Sequence, residues 1–212
     1  IAGRIRKAME EERHEEVMYH VGRPGEDGYT TRMLAAWAVD GHNSHTNVCS
    51  SGARAGYHWW MGMDRPSPDH ANAKVIVLVS SHLETGHYFN PHAQRIMEGK
   101  KNGAKLIVFD TRLSNTATHA DHWLSPYPGS EAAIFLAIAN WMIQEGKYNR
   151  DFVRRWWNWQ EYLEEVKGEK DASFERFEEV LRELYTEFTF EYAAGESGLR
   201  VDQLEAIAEV IS

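Results

Sequence analysis

The chain has 212 residues, with 32 acidic against 23 basic side chains and a formal net charge of −9. That balance excludes binding built on phosphate neutralisation by Lys and Arg, so nucleic acid is not an expected partner. Hydrophobic residues at 42% and charged residues at 26% suit a folded globular chain, and no apolar run approaches the ~20 residues of a membrane span. The chain opens on Ile1 and shows no signal-peptide pattern, which reads as an internal piece of a longer protein.

Residues 4–16 are strongly charged, with apolar positions only at Ile5, Ala8 and Met9, and read as one solvated helix. A short strand over 17–21 closes at the Gly22-Arg23-Pro24-Gly25 turn. A helix follows over 29–39, with Leu34, Trp37 and Ala38 on one face, and then a polar stretch to Asn47. The next turn reads Asn47-Val48-Cys49-Ser50-Ser51-Gly52-Ala53-Arg54-Ala55-Gly56-Tyr57 and carries the only cysteine in the chain. One thiol can form no internal disulfide. At the start of a helix, first-turn amides and the helix dipole would favour its thiolate, and the small residues after it leave room for something large. Read from composition alone, it is either a buried filler thiol or a functional one.

The middle of the chain is the most legible. Residues 74–80 hold an uninterrupted apolar run, which suits a strand buried on both faces of a parallel sheet. A polar loop over 80–90 leads to a helix over 91–101, with Pro91 at a favourable first position and Gly103 as the stop. Residues 104–110 form a second buried strand, completing a βαβ unit, and 122–124 is a third short strand. Beyond Gly129 the pattern turns helical: 130–145, then 151–157 capped by Asn149, a charged amphipathic stretch over 160–186, and 201–211 after the 195–198 break. The fold class is therefore α/β, a parallel-sheet Rossmann-like layer of βαβ units with a helical C-terminal part. We divide it as 1–145, carrying the cysteine turn and the strand-end loops, and 146–212 as a helical extension of the same domain. Of the tryptophan clusters at 59–60 and 156–159, the later one is expected to mark a surface covered by other parts of a parent chain, the alternative being core packing.

Ligands of open α/β sheets bind at the C-terminal ends of strands. Two such ends are visible. One is the Ser80-Ser81-His82-Leu83-Glu84-Thr85-Gly86-His87 loop, the other Asp110-Thr111-Arg112. A carboxylate there can accept ribose hydroxyls, and an adjacent arginine can pair with phosphate, although Asp110 as a simple helix cap is the plainer alternative. No Gly-x-Gly-x-x-Gly turn and no Walker loop is present, so an ordinary NAD or ATP site is unsupported. Histidines crowd residues 42–122, with His42/His45 and His119/His122 each three apart, yet no pair brings a third convincing zinc ligand. A Cys–His hydrolase built on Cys49 is a further option, with no feature that selects its histidine.

Taken in order, these segments resemble the molybdopterin-dependent oxidoreductases of the dimethyl sulfoxide reductase family. The turn from Cys49 through Ala55-Gly56 resembles the place of the family's protein ligand to molybdenum or tungsten. Gly103-Ala104-Lys105-Leu106-Ile107-Val108-Phe109-Asp110-Thr111-Arg112 resembles its Gly-Ala-Lys strand ending in Asp-Pro-Arg. Thr116-Ala117, Ala120-Asp121-His122, Pro128-Gly129-Ser130-Glu131 and the Thr189-to-Gly198 segment follow at the family's spacing. The resemblance implies Cys49 as catalytic metal ligand. It also implies that Ser80, Ser81, His82, Glu84, Phe109, Asp110, Arg112, Gly129, Ser130 and Glu131 hold the guanosine diphosphate end of one pterin. It implies a molybdenum or tungsten bis(molybdopterin guanine dinucleotide) cofactor, and a 4Fe-4S cluster in an N-terminal part outside this chain. The implied activity is two-electron redox or oxygen-atom transfer. The implied partners are the rest of the catalytic subunit, an iron–sulfur electron-transfer subunit and a small-molecule substrate, in the bacterial cytoplasm or periplasm. The competing class is a non-catalytic scaffold subunit of a respiratory complex descended from this family. Three departures stand out: Ser50 where the family's formate dehydrogenases carry histidine, Thr111 where proline is usual, and an 80–90 loop unlike Gly-x-Asn-Pro.

Overall fold

Apolar periodicity resolves into two units, Ile1–Pro68 and Asp69–Ser212, in a computed structural model that describes residues 1–21, 27–39, 41–44, 51–63, 66–83 and 90–212.

In the first unit the helix expected over 4–16 is broken. Helix α1 spans Ala2–Glu10, Glu12 takes a left-handed φ of 55°, and His14–Glu16 forms a single 3-10 turn. The cause is local: Glu10, Glu11 and Glu12 offer no apolar side chain to anchor another turn, and Arg13 draws Glu11 and Glu16 to itself instead. Strand β1, Met18–Val21, pairs in parallel with β2, Gly41–Ser44, in the register Met18↔Gly41. Strand β2 lies in the stretch read as polar connection, since Gly-His-Asn-Ser carries no β-branched residue and only pairing with β1 defines it. Helix α2, Asp27–Ala36, buries Leu34 and stops short of the expected end, where Ala38 turns to φ 54°. Helix α3, Ser51–Met61, starts where the cysteine turn predicts a helix, with Trp59 and Trp60 exposed on it. Cys49 itself lies outside the described residues.

The second unit holds a three-stranded parallel sheet in the order β3-β4-β5, with β3 at Val75–Val79, β4 at Lys105–Phe109 and β5 at His122–Leu124. Strand β4 is central and buried on both faces: Leu106 and Val108 point one way, Ile107 and Phe109 the other. Strand β3 corrects the expectation of burial on both faces. Ile76 and Leu78 are buried, but Val75 and Val77 are half-buried and Val79 is exposed, because β4 pairs with only one of its edges.

Helix α4, Asn90–Lys101, connects β3 to β4 and packs Ile96 against Ile76, Leu78, Leu106 and Val108. The opposite face is covered by three helices: α5 at Glu131–Gln144, α9 at Phe190–Ser197 and α10 at Val201–Ile211. Ile134, Ile138, Ala193, Leu204 and Ile207 form one nucleus there with Ile107, Phe109 and Leu124. Helices on both faces of a parallel layer are the α/β arrangement expected from the alternation of elements.

Between α5 and α9 lie α6, Arg150–Trp156, α7, Trp159–Glu165, and α8, Phe174–Tyr185. The Asn149 side chain caps α6 by accepting from Phe152 N at 2.9 Å. The amphipathic stretch 160–186 is two helices, because residues 167–171 contain no apolar side chain and Gly168 and Asp171 both adopt positive φ. A third nucleus gathers Val153, Leu163, Phe174, Phe177 and Val180. Trp157 and Trp159 pack against it, so the later tryptophan cluster is chiefly core, with only Trp156 strongly exposed. No described helix is long and apolar enough to cross a membrane.

Candidate functional site at the strand ends

Because the three strands run parallel, their C-terminal ends open on one edge of the sheet, and the loops that leave them carry most of the residues singled out from sequence. The exit of β3 is bent at once. Ser80 adopts a left-handed φ of 52°, donates its amide to Phe109 O at 2.8 Å, and places its hydroxyl 3.3 Å from Glu131 Oε1 in the first turn of α5. Ser80, the end of β4 and the start of α5 therefore meet. Ser81 and His82 follow, both half-buried, and Leu83 is drawn into the core while its amide donates to the buried Thr116 Oγ1 at 3.2 Å.

The exit of β4 is the Asp110-Thr111-Arg112 turn. Asp110 is half-buried, and its Oδ1 accepts from the Arg112 amide at 3.2 Å. No α-helix follows, only the 3-10 turn Ala117–His119, so Asp110 does not act as a helix cap. Its Oδ2 and the exposed Arg112 guanidinium have no partner among the described residues.

Phe109 contributes differently. Its side chain is 1% exposed, packed with Phe135 at a centroid distance of 5.5 Å, so only its backbone reaches the mouth. Ser130 is also buried and donates its hydroxyl to Tyr127 O at 2.6 Å. Gly129 takes φ 90°, which lets the chain turn sharply into α5. The structure thus brings together Ser80, Phe109, Asp110, Arg112, Gly129, Ser130 and Glu131 along one edge. Glu84 and Cys49 lie outside the described residues.

Two residues at this edge carry no sequence signal of their own. Trp123 Nε1 donates to Asp110 O at 2.9 Å, and Ser125 Oγ donates to Thr111 O at 3.1 Å. Only their place on the exit of the neighbouring strand could have pointed to them.

Chemically, the edge offers serine hydroxyls, carboxylates that accept from hydroxyl or amine donors, a guanidinium with no partner among the described residues, and the first-turn amides of a 14-residue helix. This donor set fits a nucleoside diphosphate, whose ribose and base supply donors and whose phosphates supply acceptors. Elsewhere the chain offers less. His119 closes a 3-10 turn and His122 opens β5, so their spacing falls across two elements. Among the described residues no three His, Cys, Asp or Glu side chains gather as a metal site. His70 Nε2 lies 3.1 Å from His92 Nδ1, tying the segment before β3 to α4; burial first, then His92, hold His70 below its ordinary range. A concavity of about 470 Å³ in the first unit is lined by Ile5, Arg6, Met9, His14 and Trp37 among others, and none of its lining residues carries a carboxylate.

Comparison with known proteins returns one family. A family model described as molybdopterin oxidoreductase matches residues 25–207. The thiosulfate reductase molybdopterin-containing subunit of Salmonella typhimurium is 32% identical over 114 residues, covering 53% of this chain and 15% of that protein. A nitrate reductase of Symbiobacterium thermophilum is 27% identical over an alignment of 220 positions, covering all of this chain and 28% of that protein. Among solved structures, acetylene hydratase from Pelobacter acetylenicus superposes with a TM-score of 0.66 over 89% of this chain and 24% of its own, at 22% identity, a likeness of fold. The chain thus spans less than a third of the length of each of these relatives.

Proposed function

The chain belongs to the molybdopterin oxidoreductase family, and on that premise we propose that it is a section of the catalytic subunit of a molybdenum or tungsten enzyme with two molybdopterin guanine dinucleotides. The observation that carries this reading is the convergence of Ser80, Asp110, Arg112 and Glu131 at the strand ends. The Asp110 carboxylate would accept from ribose or guanine, and Arg112 would pair with the diphosphate. Ser80 and Glu131 would line the same mouth, with Ser81, His82 and Glu84 continuing it. Phe109, Gly129 and Ser130 would shape it through backbone and packing. Cys49 would supply the protein's thiolate, a soft ligand suited to a metal already held by sulfur. When bound, the cofactor supplies two-electron redox or oxygen-atom transfer at its metal; the protein contributes ligation, orientation and electrostatics. A 4Fe-4S cluster in another part of the parent chain, an iron–sulfur partner subunit and a small-molecule substrate complete the proposal.

The test is metal and nucleotide analysis of the full-length parent chain, expressed in a host that makes the cofactor. Molybdenum or tungsten is expected together with guanine nucleotide in molar excess of metal. Cys49→Ser is expected to change the metal's X-ray absorption by loss of one sulfur neighbour, with the nucleotide retained. A parent chain free of both metals would overturn the enzyme reading and leave the non-catalytic scaffold.

A further inference from the structure

The Asp110-Thr111-Arg112 turn contains neither glycine nor proline to set its course, and none of its side chains is buried in the core. It is held instead by its neighbour. The Asp110 amide donates to Leu124 O at 3.0 Å. The Asp110 carbonyl accepts from Trp123 Nε1, and the Thr111 carbonyl accepts from Ser125 Oγ. The Arg112 amide then closes back on Asp110 Oδ1. Two of these four bonds come from the Trp123 and Ser125 side chains, which make no other hydrogen bond among the described residues. Trp123 is moreover 40% exposed, an unusual place for an indole whose N–H is committed to a backbone carbonyl.

We infer that Trp123 and Ser125 are positioning residues, acting through the turn to hold the Asp110 carboxylate and the Arg112 guanidinium ready for the nucleotide end of the cofactor. The inference rests on the reading of Asp110 and Arg112 given under the proposed function. Without the two donors, the turn would have to order itself each time it bound a ligand, and that ordering would weaken retention. A net hydrogen bond of ordinary strength corresponds to about a five-fold effect for each donor.

The experiment uses the full-length parent chain. In the cofactor-free chain, Trp123→Phe and Ser125→Ala are each expected to speed hydrogen exchange at the Arg112 amide about five-fold. In the loaded chain, each is expected to speed release of guanine-bearing cofactor by a similar factor, with Ser125→Thr restoring the parent rate. In an Asp110→Ala background, where only Arg112 remains to be positioned, Trp123→Phe is expected to add a smaller increase than in the parent chain, which a general loosening of the fold would not reproduce. If Asp110→Ala speeds release but neither Trp123→Phe nor Ser125→Ala does, the positioning role is overturned and the nucleotide reading stands. If Asp110→Ala leaves release unchanged, both fall. Equal increases with and without Asp110 also overturn the positioning role.

Discussion

Replacing Glu178 by alanine removes the carboxylate that ties α8 to the segment entering α6. Glu178 is 8% exposed and accepts from Tyr148 Oη at 2.6 Å and from Arg150 Nε and Nη2 at 2.7 and 2.9 Å. Arg150 also bonds Glu175 and lies over the Phe174 ring. Since its side chain is 45% exposed, it can regain water, so the lost ion pair counts on the surface scale of about 0–1 kcal/mol. The Tyr148 hydroxyl, left facing the vacated site, costs about 1–3 kcal/mol more. A loss of about 1–4 kcal/mol is therefore expected for Glu178→Ala. Glu178→Gln should lose less, because it keeps an acceptor for Tyr148 and conflicts only with the guanidinium.

Urea denaturation followed by far-UV circular dichroism measures both, with an unchanged slope as the check on two-state behaviour. The pH dependence gives a second reading. The Arg150 hydrogen bonds, foremost, hold the Glu178 carboxyl below its usual range. Its stabilisation is then full above the unfolded value of about 4.3 and is lost as pH falls through the lower folded value. The alanine variant should show a flatter acid limb. Tyr148, pushed up to about 12 by burial first and then by Glu178, should titrate at lower pH in that variant. An alanine variant within 0.5 kcal/mol of the parent chain, with Tyr148 titration unmoved, would refute the reasoning; that threshold is about the ordinary scatter of surface substitutions.

Gly198→Ala places a Cβ 2.7 Å from Tyr127 Cζ at a residue with φ +71°. A loss of about 2–3 kcal/mol is expected by thermal denaturation, together with faster exchange of the Tyr127 amide that donates to Ser197 O. Leu204→Ala empties a fully buried site in the nucleus that backs β4, and should cost about 2–5 kcal/mol in the urea midpoint; a cost under about 1 kcal/mol would remove α10 from that nucleus. Asn149→Ala removes the cap on Phe152 N and should cost about 1 kcal/mol, whereas Asn149→Asp, an equally good cap, should cost almost nothing.

Legibility from sequence followed locality. Strand β4 was readable because both its faces are buried from Leu106 to Phe109, so those four consecutive residues are all apolar. The Asn149 cap and the Gly103 stop were readable because each acts within a turn of its own position. Strand β2 was not, since Gly-His-Asn-Ser becomes a strand only by pairing with β1. The half-exposed face of β3 and the packing of Trp157 and Trp159 against the core differ from the sequence expectation as well. In each case the deciding factor was which neighbours cover a residue, and periodicity records only that the residue is apolar.

The site divides in the same way. Residue order alone determined that Ser80, Asp110 and Arg112 leave parallel strands at their C-terminal ends, because a helix between two buried strands makes a crossover that returns the second strand in the same direction, so both loops leave at one edge. It determined the family as well, since several motifs in one order carry more than any single one. Only the tertiary structure decided what each residue contributes there. Phe109 and Ser130 are buried, while Asp110 and Arg112 keep polar groups that no described residue engages. Trp123 and Ser125 join the site from the neighbouring strand. The physical reason is that a side chain's role depends on the partner its polar atom finds, and for these residues that partner lies across a strand pair or on another helix.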